Sequence, residues 1–282
     1  MRPGAGRAAL TIAAAVVCAL VLAFLVLPVI ALITYQPLGT LIKGFGTPVA
    51  TEAVLVSLKT NGIALALILG LGTPFAYTLA RLRFPGRSIV ITIVELPLVM
   101  PPAVAGLGLL VAFGRMGLLG GTLGGLGIDL AFTQGAVVAA LAFVAGPFYL
   151  RGAIAAFEGL DETLIDVART LGAGPLRRML LVATPLAAGG LGAAAAVAFA
   201  RGVGEFGATI LFAGSLRGAT QTLPLAVYSL FDVNLDEAIA IGVLLIAIST
   251  AILLSSKLLI GTWTYSTSIS PSHDEPSHSA PA

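Results

Sequence analysis

An all-α, polytopic membrane protein is the fold class that this sequence predicts, and three observations predict it. Of 282 residues, 58% are hydrophobic and only 10% are charged, with a mean hydropathy of +1.05. A soluble domain carries about 25% charged residues to solvate its surface, so the solvent of this chain is lipid. Apolar stretches of about 20 residues, enough to cross ~30 Å of hydrocarbon as helix, recur six times. They are continuous, without the alternation over about ten residues that a membrane barrel requires. A net charge of +2, with no basic track interleaved with aromatics, argues against nucleic acid as a partner. The single cysteine, Cys18, permits neither an intrachain disulfide nor a thiolate metal cluster.

The six expected spans lie near residues 8–34, 55–80, 88–113, 131–150, 186–208 and 238–260. The first follows a basic start, as a secretory leader would. Ala8 to Ile33 is apolar apart from Thr11, however, which exceeds the roughly 7 to 15 residues of a cleavable leader and reads as a retained anchor. The second span carries Lys59 near its start. The third carries Glu95 and the prolines Pro97, Pro101 and Pro102, which remove helix hydrogen bonds and must bend or break it. A packing kink and a pore-lining bend both satisfy that pattern. The Gly-rich stretch 114–127 reads as a flexible linker, and Arg201 and Glu205 fall late in the fifth span.

Residues 1–51 form an anchor helix and outer loop, 52–265 the main membrane domain, and 266–282 a Ser- and Pro-rich tail too polar to fold. The tail holds both histidines, His273 and His278, whose spacing alone makes no metal site. Ten of the fifteen Lys and Arg residues fall on the side of the N-terminus. Only Lys43, Arg115 and Arg217 fall on the other, and Lys59 and Arg201 lie within spans. Cytoplasmic loops collect basic residues, so both termini are expected in the cytoplasm of a cell-membrane protein.

Between the fourth and fifth spans lies a polar segment, 152–185. Phe157, Leu160, Leu164, Ala168 and Leu171 recur at steps of three and four, with Glu158, Asp161, Glu162, Asp166 and Arg169 opposite. That spacing predicts an amphipathic helix capped by Gly172, followed at Gly174-Pro175 by a second helix. Helices that lie on headgroups usually carry Lys and Arg on the polar face. This face is largely acidic, which favours water or a protein partner over anionic lipid.

Asp166-Val167-Ala168, three residues, Gly172, nine residues and then Val182-Ala183-Thr184-Pro185 resembles the Glu-Ala-Ala loop of binding-protein-dependent ABC importer permeases. The departures are Asp for Glu, Val for the first following Ala, Val for Ile and Thr for Leu. The stretch from Leu96 through Pro101-Pro102 to Gly106, and that from Arg201 through Gly204-Glu205-Phe206-Gly207 to Tyr228, look like molybdate permeases. Sulfate permeases share the Gly-Glu-Phe-Gly core.

The resemblance, over roughly residues 52–260, implies a MetI-like permease fold with a cytoplasmic coupling-helix hairpin between helices four and five. By resemblance, Glu158, Asp161, Glu162, Asp166, Ala168, Gly172 and Pro185 belong to a loop that seats on an ATPase. It also implies a second permease copy, two ATP-binding cassette subunits and an external binding protein that delivers the oxyanion. The chain has no Gly-x-x-x-x-Gly-Lys-Ser/Thr phosphate loop, so it is not itself an ATPase; it binds no cofactor, and the ATP is used by the partner.

An intramembrane charge is a functional candidate by default. At 1.5 Å per residue from Leu186, Arg201 and Glu205 lie about 22 and 28 Å along the fifth span, near the outer boundary and on one helix face. They form either a local ion pair or, with Pro101 and Pro102, a translocation gate. The expected function is the permease subunit of an ATP-driven oxyanion importer, with molybdate ahead of sulfate and tungstate. An ion-coupled secondary transporter is the competing class. An intramembrane hydrolase is disfavoured because no span holds a histidine.

Overall fold

A computed structural model describes residues 3–267, with side-chain surroundings for residues 10–255. The described residues form helices and turns without a strand. Four helices are long and apolar enough to cross a membrane, and six spans result if each of two bent helix pairs counts as one. The expected tail lies, from residue 268 onward, outside the described residues.

The first span, α1 (Pro3–Thr34), is exposed along nearly its whole described length and touches mainly the last helix. A helix apolar all round needs lipid or a neighbour, so its sequence alone stabilises it as a span. A short helix, α2 (Leu38–Phe45), leads to α3 (Pro48–Arg81), which Thr47 caps by accepting the Ala50 N–H. Next come α4 (Arg87–Val99) and α5 (Pro102–Phe113), bent by 114° about Met100–Pro101. The third span, expected to bend or break at its prolines, is therefore two helices. Pro101 and Pro102 supply no N–H at the break, whereas Pro97 is accommodated inside α4.

The glycine-rich stretch is not the free linker expected of it. Leu118 and Leu119 donate to the carbonyls of Val111 and Ala112, at 2.9 Å each, and Gly120–Gly125 forms the short helix α6. Gly114, Gly117 and Gly120 stand so close to neighbouring backbone that a side chain would collide, so the glycines serve compactness there.

The core is built around α7 (Gln134–Glu158), the most deeply buried span, packed between α3 and α11 (Ala188–Val203). Lipid supplies no hydrophobic drive between helices, so close approach of backbones through small residues must hold them. A methyl at Gly152 would lie 2.6 Å from the Ala194 Cβ, and one at Gly190 2.6 Å from the Ala156 Cβ. Where α3 meets α7, Tyr149 and Thr73 share a 2.6 Å hydrogen bond between their hydroxyls.

Beyond α7 come α8 (Glu162–Thr170), α9 (Pro175–Arg178), a π-helical turn Met179–Ala183 and the single turn α10 (Thr184–Leu186). The run Pro175–Leu186 bends by 79° into α11. After α11 the chain continues as α12 (Gly207–Ala213), α13 (Leu223–Leu230) and α14 (Leu235–Thr267). The fifth span thus ends at Val203 rather than near 208, because Gly204–Phe206 breaks it.

Candidate functional site

Two places gather the residues singled out in the sequence: the elbow around α8, and a crossing of broken helices midway along α7.

At the elbow, the Gly159 N–H closes the end of α7 on the Ala155 carbonyl at 3.0 Å. Asp161 then begins α8, its Oδ1 accepting the Thr163 N–H at 2.9 Å, with Glu162 in the first turn where the helix dipole favours an acid. The hydrogen bonds from Thr163 hold the Asp161 carboxyl below its ordinary value. Gly172 closes the other end at a φ of +82°. Its N–H donates to Arg169 at 3.1 Å, and the next N–H, of Ala173, donates to the Ala168 carbonyl at 2.9 Å. This paired closure needs a left-handed residue, so Gly172 and the Ala168 carbonyl act together.

Pro185 has a comparable backbone role. It cannot donate to the carbonyl four residues back, and the preceding turn widens so that Thr184 N–H bonds the Met179 carbonyl.

The expected amphipathic face requires correction. No continuous helix runs from Phe157 to Leu171, because Gly159–Asp161 interrupts it and shifts the register. Phe157 is buried at the end of α7, and the residue that α8 buries is Ile165. Leu164, Val167 and Leu171 are exposed, at 48%, 51% and 82%. The acids divide as well. Glu158 pairs with Arg87, whose Nε also donates to the Leu79 carbonyl at 2.7 Å. Glu162 stands 3.8 Å from Arg81, which reaches the Leu160 carbonyl at 3.4 Å. Asp166 makes no ion pair among the described residues. Two acids therefore help fix the elbow to the bundle, while Asp166 and three apolar side chains face outward.

At the crossing, the break before α5 meets the break before α12. A methyl at Gly207 would stand 2.7 Å from the Pro102 Cβ, and one at Gly106 2.6 Å from the Ala208 carbonyl oxygen. Arg201 Nη2 lies 2.7 Å from Glu205 Oε2, and Glu205 Oε1 accepts the Ala208 N–H at 2.8 Å. The Glu205 side chain is 1% exposed and that of Arg201 29%. Pro101 lies exposed at the bend.

One expectation about this pair changes. Arg201 and Glu205 do not share a helix face, since α11 ends between them and the turn brings them together. Their level is read along α7. The adjoining Gly202 packs on Ala145, which is about 16 Å from one end of α7 and about 20 Å from the other. The pair is therefore level with the middle of α7. A buried carboxylate there is tolerable because both its oxygens have donors. Its guanidinium partner keeps an exposed edge, able to meet an anion without surrounding it.

Several pairs lay outside the sequence reading. Lys59 donates to Gln134 at 2.8 Å, Arg217 reaches Glu52 at 2.9 Å, and Arg151 stands 3.8 Å from Glu95. Each joins polar groups far apart in sequence, and only their unusual depth or isolation signalled a need for partners. Among the described residues no group of three or more His, Cys, Asp or Glu is placed to hold a metal ion.

Residues 62–261 match the family of binding-protein-dependent transport system inner membrane components. The molybdenum transport system permease protein ModB of Escherichia coli is 40% identical over 213 residues, 75% of this chain and 92% of that protein. Its namesake in Mycobacterium tuberculosis is 42% identical, over 77% of this chain and 83% of that protein. The molybdate/tungstate transport system permease protein WtpB of Pyrococcus abyssi is 32% identical, over 84% and 90%. Among solved structures, the fold is similar to that in a bacterial alginate ABC transporter bound to its pentasaccharide-loaded periplasmic protein. The TM-score is 0.72 at 16% identity, over 92% of this chain and 96% of that one. A chain of the MetNI methionine ABC transporter gives 0.59 at 19% identity, over 76% and 95%.

Proposed function

Because the chain belongs to the family of binding-protein-dependent transport system inner membrane components, we propose that it is the permease subunit of an ATP-driven importer and that its cargo is the tetrahedral oxyanion molybdate. The observation that carries this reading is the elbow. A capped helix stands off the bundle, anchored by Ile165 and by Arg81, and turns Leu164, Asp166, Val167 and Leu171 outward. Nothing in a self-sufficient carrier needs such a projection.

In this reading both termini and α8 are cytoplasmic, and α8 seats on an ATP-binding cassette subunit that burns the nucleotide. Two permease copies form the path, and an external binding protein delivers the oxyanion at the opposite end. Molybdate passes the level of Arg201, whose charge Glu205 already shares. A shared charge attracts a dianion without trapping it, as conduction requires. Gly207, just after the break Gly204–Phe206, packs on Pro102, so motion of α11 passed through that break would move α5. The relatives named for molybdenum support the choice of cargo.

The test is uptake of labelled molybdate into vesicles that hold the chain with its ATPase and external binding protein. Uptake should need ATP and resist excess sulfate. Equal competition by sulfate would reassign the cargo, and gradient-driven uptake without the ATPase would reject the importer.

A further inference from the structure

Glu95 and Arg151 carry charges that neither the crossing nor the elbow uses. Glu95 lies on α4 and Arg151 on α7, with Arg151 Nε 3.8 Å from Glu95 Oε1. Both helices belong to segments long and apolar enough to cross a membrane. At the elbow end Arg87 pairs with Glu158, so α4 and α7 run side by side from there. Glu95 stands about 12 Å along α4 from Arg87, and Arg151 about 10 Å along α7 from Glu158. In the other direction α4 stops at the crossing, where Pro102 packs on Gly207, and Arg151 is about 9 Å along α7 from Ala145. The pair therefore stands about midway between crossing and elbow.

Neither side chain is buried: that of Arg151 is 73% exposed and that of Glu95 39%. Ionisable groups within spans almost always face the interior of a bundle or a water-filled cavity, so this face of α4 and α7 is turned away from lipid. The contact is also loose. At 3.8 Å it exceeds hydrogen-bond length, and the Arg151 side chain makes no hydrogen bond among the described residues.

We infer that Arg151 is a second contact for the oxyanion, on the elbow side of Arg201, an assignment that rests on the importer reading above. Its planar fork of open donors matches two oxygens of a tetrahedral dianion. Glu95 shares its charge as Glu205 shares that of Arg201, so the anion is held weakly enough to leave, and successive weak sites are what conduction requires. The cargo thus has a step between the crossing and the elbow.

The experiment is molybdate uptake by vesicles that hold the chain, in a Cys18→Ser background, with its ATPase and external binding protein. Arg151→Cys should lower uptake about tenfold. A water-soluble thiol reagent that leaves an ammonium group should restore part of that uptake, and one that leaves a sulfonate should not, relative to the Cys18→Ser parent treated alike. Glu95→Cys should react with the same reagents, and molybdate should slow the reaction; where Arg151→Cys fails to assemble with the ATPase, this second variant decides. Uptake at the parent rate by Arg151→Cys, an equal response to both reagents, or a Glu95→Cys thiol that the reagents do not reach or molybdate does not protect, overturns the inference. Uptake by the parent itself keeps the importer reading separate, since only its failure to need ATP counts against that reading.

Discussion

Along the seam between α7 and α11, Gly152 and Gly190 bring two backbones to a distance at which one more methyl would collide. At the elbow, α8 meets the bundle through Ile165 and through Arg81 at the end of α3, which stands 3.8 Å from Glu162. The first contact is continuous, apolar and intolerant of volume. The second is a capped peg with few anchors, so it can shift as a unit. In the proposed importer, a force applied at the peg would reach the crossing because α10 leads into α11 and the chain beyond α11 packs through Gly207 on Pro102 of α5. Rigid seam and movable peg would then be complementary parts of one lever.

The largest effect that separates them is expected at the seam. Gly152→Leu should destabilise the chain by about 1–3 kcal/mol through overpacking, and thermal unfolding in detergent would register it. An unchanged unfolding temperature would mean that the seam is looser than its geometry. Gly172→Pro should do the opposite: it removes the +82° residue and the N–H donated to Arg169, uncaps α8 and abolishes ATP-driven uptake with little effect on unfolding of the spans. Asp166→Arg should do the same by reversing the charge of the exposed face. Retained complex and retained transport in both variants would break the lever.

A smaller change is expected at the crossing. Arg201→Ala should lower molybdate uptake about tenfold while the complex still assembles; normal uptake would remove Arg201 from the path. Smallest is the pH response of the elbow. The carboxyl of Asp161 is held below the usual aspartate value of about 3.9 by the N–H of Thr163. The cap is therefore fully present above that value and is lost as pH falls through the lower folded-state value. Amide exchange at Thr163 should accelerate only in that acid window, and Asp161→Asn should remove the dependence.

The number and rough place of the apolar stretches were legible because lipid imposes one rule on every span. The cap at Gly172 was legible because it is local chemistry, whereas Asp161 was read as part of a helix face and is its N-cap instead. The face of α8 was not legible, since three residues outside both helices, Gly159–Asp161, reset the periodicity that the sequence carries from Phe157 to Leu171. The end of the helix that carries Arg201 was misplaced for a related reason. Counting from the start of a span assumes a straight helix perpendicular to the membrane, and this one follows a 79° bend and stops at Gly204. The pairs Arg87–Glu158 and Lys59–Gln134 are products of packing, which one sequence does not reveal.

The lever stands or falls with what α8 touches, and one labelling measurement reads that directly. With Cys18→Ser as background, Val167→Cys places a single thiol on the exposed face of α8. A membrane-impermeant maleimide should label it in inside-out vesicles and not in sealed right-side-out vesicles, and bound ATPase subunit should block the reaction. Labelling from the outer side, or labelling that the ATPase leaves unchanged, would contradict the account.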